Sequence, residues 1–201
     1  MATTVPSWVP DIEAKPAPMP LLVVQSFVNT WESDTGVDLL ADPEAGPRWL
    51  EAAGLLRTAD VDLTGVRAFR EAIRGLLVAN SGEAGVGPGD LAVLRAQAAR
   101  VCPGFVVLDD GALQLLPRPD DGLGFLAATV LLVIRDAQRD GTWARLKACR
   151  NPECHWAFYD RSHAGRGAWC DMAVCGNRIK NRKLRTRRSA AREGSPGAPP
   201  S

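Results

Sequence analysis

The stretch CRNPECHWAFYDRSHAGRGAWCDMAVCGNR, residues 149–178, holds four of the chain's five cysteines. They form two matching pairs, Cys149 with Cys154 and Cys170 with Cys175, each enclosing four residues and separated from the other by fifteen. Each short loop turns the chain back so that both sulfurs face one point, and two such pairs can close a tetrahedral Zn–S4 cage. Asn151 and Pro152 favour a tight turn inside the first pair, residues 156–160 have aromatic strand propensity, and Asp171 is placed to cap a helix that carries Cys175 about one turn in. Knuckle, short hairpin and ligand-bearing helix predict a treble-clef-like zinc finger. Structural Zn2+ contributes on the order of 10–16 kcal/mol in small fingers, so a segment this poor in aliphatic side chains is expected to unfold locally without metal.

Four thiolates fill the tetrahedron and leave no position for a substrate water, which makes the expected site structural rather than catalytic. Two disulfides are the alternative, disfavoured because no early stretch combines a basic start, an apolar middle and a small-residue cleavage site. His155 and His163 are alternative ligands, although a lone histidine beside a ligand is more often a surface or hydrogen-bonding residue. Cys102, followed by Pro103 and far from the cluster, reads as a packed free thiol.

Downstream, residues 178–188 read RIKNRKLRTRR, with seven basic residues in eleven. On a helix, Arg178, Arg182 and Arg185 share a stripe with Asn181 nearby, while Lys180, Lys183 and Arg187 fall on the other side. Ile179 and Leu184 do not share a face, so the helix has no apolar side to bury in a core or to insert into a membrane. A bare charge run is often only a solvated surface. A metal-fixed helix start changes that: the cations, Arg188 included, can meet phosphates in register, and Asn177, Asn181 and the arginines can reach base edges. DNA is the expected partner, with RNA the alternative.

The overall charge of +1 conceals two opposed regions. Residues 1–144 carry eleven basic and nineteen acidic side chains, a balance of −8, whereas residues 145–192 carry thirteen and three, a balance of +10. Such asymmetry points to one region that binds a polyanion and one that does not. With 46% hydrophobic and 23% charged residues, a soluble globular chain is expected. The longest apolar segment, residues 123–134, is shorter than the ~20 residues that span a bilayer. A cytoplasmic location and no membrane partner follow as expectations.

Upstream of the cysteines the pattern is mainly helical. Residues 1–20, with Pro6, Pro10, Pro16, Pro18 and Pro20, predict a flexible leader. Residues 21–30 (LLVVQSFVNT) and 47–56 predict short helices. Residues 64–78 predict a longer one with Val66, Phe69, Ile73, Leu76 and Leu77 inward and Arg67, Arg70, Glu71 and Arg74 outward. Asp90 is a candidate cap for another. Residues 105–108 and 113–116 flank a DDGA turn and predict a small β-hairpin. Residues 123–139 predict a central helix, apolar nearly all round at first. The expected organisation is a leader (1–20), a helical domain (21–141), the finger with its basic helix (142–192) and a disordered tail (193–201).

Residues 146–188, with the run Cys175-Gly176-Asn177-Arg178 behind the two cysteine pairs, closely resemble the CGNR zinc finger. Residues 21–141 resemble the ABATE domain, through Phe27-Val28-Asn29-Thr30 and Trp49-Leu50-Glu51-Ala52-Ala53-Gly54-Leu55-Leu56. The resemblance implies a bacterial, stress-linked transcription regulator with a mainly helical N-terminal domain and a zinc-binding, DNA-binding C-terminus. The implied ligands are Cys149, Cys154, Cys170 and Cys175. That family often has an acidic residue before the Phe-x-Asn-Thr motif; this chain has Ser26. The N-terminal domain is expected to sense a small-molecule effector or to pair subunits into a homodimer. An enzyme in that domain is the remaining alternative, and it lacks a recognisable nucleophile–base pair, phosphate loop or His-rich metal motif.

Overall fold

The computed structural model describes residues 6–10, 13, 15–33, 35–57, 60–83, 85–101, 103–117 and 122–182. These residues form a mainly helical body with three two-stranded antiparallel pairs, and the four-cysteine cluster lies in the C-terminal region. Cys102 and the tail 193–201 lie outside the described residues. No helix among the described residues is long and apolar enough to cross a membrane.

Helix α1 (Leu21–Val28) is buried at every position, as a helix apolar nearly all round must be. It packs against α3 (Leu63–Asn80) and α5 (Gly122–Arg139). A minimal pair, β1 (Trp31–Glu32) with β2 (Val37–Asp38), follows α1 and was not legible at two residues per strand. Helix α2 (Ala45–Ala52) gives way at Gly54, whose φ of 71° suits the left-handed end of a helix. Asp62 caps α3 by accepting from the Thr64 amide at 3.0 Å, and Val66, Phe69, Ile73 and Leu77 are fully buried along its inner stripe.

The structure corrects the expected outer face of α3. Arg70 and Arg74 are buried rather than solvent-facing. Arg70 makes a two-pronged pair with Asp38 at 2.6 and 2.9 Å, Glu71 bridges the two arginines, and both guanidinium groups lie over the Trp31 ring. Partners supplied by β1 and β2 make burial of two cations tolerable, and those strands were invisible in the sequence pattern.

Helix α4 (Pro88–Arg100) begins two residues before the expected cap. Gly87 is its N-cap, Pro88 occupies the first turn with its φ already set, and Asp90 sits just inside. The hairpin of β3 (Gly104–Val107) and β4 (Leu113–Leu116) pairs Phe105 with Leu115 and Val107 with Leu113, as the DDGA turn predicts.

The last pair, β5 (Leu146–Ala148) and β6 (Ala157–Tyr159), flanks the first two cysteines, and all six of its residues are buried. Leu146, Ala148, Ala157 and Tyr159 join the same core as Phe27, Phe69 and Leu77. The finger's hairpin therefore completes the body's core. Residues of the leader pack there too: Val9 and Ala17 are buried, Trp8 meets Trp49 edge to face at 6.5 Å, and the Tyr159 amide donates to the Lys15 carbonyl at 3.0 Å. Where described, the leader is applied to the body instead of trailing from it: local turns close on the Pro6 and Pro10 carbonyls, and the Lys15 and Pro16 carbonyls accept from Gln25, Tyr159 and Arg161 of the body.

Candidate metal centre and basic helix

The first knuckle is a turn built on Asn151. Its carbonyl accepts from the amides of Cys154 (2.9 Å) and His155 (3.1 Å), and its side-chain amide donates to Cys175 Sγ at 3.7 Å. His155 takes a φ of 49°, which a residue with a Cβ adopts only when neighbours hold it there. Asp171 caps the second knuckle by accepting from the amides of Ala173 (2.6 Å) and Val174 (3.1 Å). Met172–Gly176 is a wide π-type turn that carries Cys175 and leads into helical residues 177–182. A Cβ at Gly176 would crowd the side chain of Met172, which is exposed and can move aside.

All four cysteine sulfurs lie within 4.8 Å of one another. A Zn–S bond of about 2.3 Å gives a tetrahedron with edges of about 3.8 Å; the Cys154–Cys170 and Cys170–Cys175 separations are 3.6 and 3.8 Å. None of these cysteines is in a disulfide. Donor type, number and spacing fit a closed tetrahedral metal site, and neither His155 nor His163 belongs to the cluster.

The thiols influence one another strongly. Hydrogen bonds from Cys154 and Cys170 pull the Cys149 thiol down to about 2. The same contacts, seen from the other side, push Cys154 up to about 12 and Cys170 upward as well, with burial adding to both. Only a cation at the centre can hold these sulfurs as thiolates together.

The centre is tied to the body by a set of polar contacts that the sequence reading did not anticipate. Asn29, at the end of α1, pairs both backbone groups of Ala157: its Oδ1 accepts from the amide at 2.8 Å and its Nδ2 donates to the carbonyl at 2.9 Å. Gln25 donates to the same carbonyl at 3.2 Å, Ser81 Oγ donates to the Ala148 carbonyl at 2.6 Å, and Arg150 donates to the Ser81 carbonyl. Ser33 reaches the carbonyls of Glu153 and Cys154. The asparagine of the Phe-x-Asn-Thr run thus docks a finger strand.

The leader supplies a carboxylate to Asn29. Glu13 Oε2 accepts from Asn29 Nδ2 at 2.8 Å, while Oε1 is buried without a hydrogen-bond partner. Burial pushes the Glu13 carboxyl up to about 7 against the opposing pull of Asn29. Beside it lies a cavity of about 340 Å³ between the leader and the finger, walled by Glu13, Lys15, Glu32, Trp156, Phe158 and Val174 and reaching the cysteine cluster.

Beyond Cys175, Asn177, Arg178, Lys180, Asn181 and Arg182 are all exposed, whereas Ile179 is buried. One apolar residue thus seats the helix start, while its neighbours face outward. Arg182 also pairs with Glu153 of the first knuckle at 3.0 Å. Lys183, Arg185, Arg187 and Arg188 lie outside the described residues.

Comparison with known families gives two matches. A family model described as "Putative stress-induced transcription regulator" (ABATE) matches residues 23–146, and the CGNR zinc finger matches residues 145–188. No curated protein matches the chain.

Proposed function

The chain belongs to the ABATE family and carries a CGNR zinc finger, and from that premise we propose that it is a zinc-dependent, DNA-binding transcription regulator. The observation that carries this reading is the exposed run Asn177, Arg178, Lys180, Asn181 and Arg182, seated by Ile179 two turns or less from a four-cysteine centre. Bound Zn2+ supplies charge that keeps four thiolates together; it takes no part in a reaction. Cys149, Cys154, Cys170 and Cys175 hold it, and Asn151 orients Cys175. The cations of the helix, with Lys183, Arg185, Arg187 and Arg188 beyond it, bind phosphates, and Asn177 and Asn181 are the candidates for base edges.

The body serves regulation in this reading. The cavity touches the leader, the aromatic strand residues and the cysteine cluster, so an effector lodged there would bear on the helix start. Binding of genomic fragments by zinc-loaded protein at low salt, with tRNA as competitor, tests the proposal. Affinity should fall steeply with salt as counterions are released. Absence of duplex binding at low salt would refute it, and preferential competition by tRNA would reassign the helix to RNA.

A further inference from the structure

Strand β6 and the residue before it present two faces. Ala157 and Tyr159 belong to the body's core, whereas Trp156 and Phe158, at the alternate positions, lie outside it and wall the cavity of about 340 Å³ beside Glu13. Alternation along the strand thus gives an aromatic wall to a space within the volume range of small-molecule sites.

The charged groups on the same walls are mostly of one sign. Glu13, Glu32 and Asp171 line the cavity against a single cation, Lys15. That ammonium is already committed: it donates to the Trp169 carbonyl at 2.7 Å and lies 5.0 Å from the centre of the Phe158 ring. Glu13 holds Asn29 on Oε2 at 2.8 Å, has no partner on its buried Oε1, and pairs with no cation among the described residues. The cysteine cluster adds to the negative field, since four thiolates outweigh one divalent ion. An anion would meet repulsion here, and a neutral molecule would leave the Glu13 carboxylate uncompensated. A further metal ion does not fit either: apart from the cysteines, no three donor groups among the described residues come close enough to hold one. Separated carboxylates beside aromatic rings suit an organic ammonium, whose charge both attract and whose carbon body takes the apolar wall.

We propose that this cavity binds a small primary amine with an apolar body, the ammonium directed at Glu13 and the body set against Trp156 and Phe158. The assignment rests on the effector role given to the cavity above, and it needs no nucleic acid.

Isothermal titration calorimetry of the full zinc-loaded chain, without DNA, tests it with phenethylamine, phenethyl alcohol and phenylacetate as probes. Phenethylamine should bind with a Kd of about 1 mM or tighter, as its size allows. The alcohol and the acid should bind at least about 10-fold more weakly, for want of the positive charge. Glu13→Gln keeps an oxygen for Asn29 and should weaken the amine about 10-fold, with zinc content and circular dichroism spectrum unchanged. Glu32→Gln should act in the same direction and decides the matter if Glu13→Gln fails to fold. Glu44→Gln, outside the cavity wall, should leave the affinity unaltered. Absence of saturable binding at about 10 mM phenethylamine, equal binding of the alcohol or the acid, or an affinity indifferent to the wall carboxylates would each overturn the proposal. DNA binding without amine binding would keep the basic helix's role and remove the effector's; amine binding without DNA binding would do the reverse.

Discussion

Arg74 of α3 donates Nη1 to the carbonyl of His155 at 2.9 Å, immediately after Cys154 of the four-cysteine cluster, so a helix of the body holds the first cysteine knuckle. Its Nη2 serves the carbonyls of Val28 (2.6 Å) and Trp31 (3.3 Å), and Nε pairs with Glu71 at 3.0 Å. Arg74→Met leaves three carbonyls without their donor and should cost about 3 kcal/mol in denaturant unfolding. Zinc affinity, measured by chelator competition, should fall about 10–100-fold, as for other groups that orient ligands. Unchanged zinc affinity would mean that the knuckle stands without α3.

Zinc binding should strengthen as pH rises. Contact with Cys149 and burial keep Cys154 (pushed up to about 12) and Cys170 protonated in the metal-free protein at neutral pH. The ion must displace at least those two protons, so the apparent association constant should climb roughly 100-fold per pH unit between pH 6 and 8. Competition titrations across that window give the slope. A flat profile would show that the thiols are already ionised.

Chelation should separate the two halves of the finger. Strands β5 and β6 are buried in the body's core and held by Asn29, Gln25 and Ser81, whereas residues 170–182 rest on Cys170, Cys175 and Ile179. Hydrogen exchange after zinc removal should rise over residues 170–182 and stay protected over 146–148 and 157–159. Collapse of protection in both would mean that metal, not the body, sustains the hairpin.

The cysteine spacing, the helix stripe from Val66 to Leu77 and the DDGA hairpin were legible because each depends on residues close in sequence. What escaped depends on distant partners. Arg70 and Arg74 read as outward-facing until Trp31 and Asp38, far earlier in the chain (Asp38 lies 32 residues before Arg70), supplied a ring and a carboxylate. Asn29 gave no sign that Ala157, 128 residues away, would be its partner. Glu13 lies in a proline-rich strip with no periodicity, so its approach to Asn29 had no local signal. The unexpected burial of the finger's hairpin follows from the same long-range contacts: the short LKA and AFY segments take their place in the sheet from the body they pack on.

Lys147 and Asp160 form a buried pair at 2.9 Å across β5 and the loop after β6, and the structure predicts acid sensitivity there. Burial alone would raise the Asp160 carboxyl. Hydrogen bonds from Ser162, Lys147 and Gly167 outweigh it and hold the group well below the usual carboxylate range. A carboxyl depressed in the folded state stabilises above its unfolded value near 4, and that contribution is lost as pH falls below it. Asp160→Asn should therefore destabilise by about 3 kcal/mol at pH 7, leaving Lys147 buried without its counter-charge. The difference from the parent should shrink toward pH 3. Thermal unfolding of both proteins from pH 3 to 7 measures it, and a pH-independent gap would count against the pair.

Lys180 and Ile179 are neighbours that should fail in different ways. Lys180 is exposed, as are Arg178 and Arg182, so Lys180→Ala removes one phosphate contact in the proposed complex. DNA affinity should drop modestly, and the slope of log K against log salt should become shallower by about 1. Ile179 is buried and seats the helix start, so Ile179→Ala removes no charge and loosens the placement of every cation beyond it. Its affinity loss should be larger, on the order of 10-fold, for duplexes that the parent selects, and small for random DNA, since loss of register harms base contacts more than diffuse attraction. Filter binding over a salt series with selected and random duplexes separates the two. Identical behaviour of both variants would mean that the cations act only as a diffuse charge, without the fixed register that the metal centre and Ile179 give the helix.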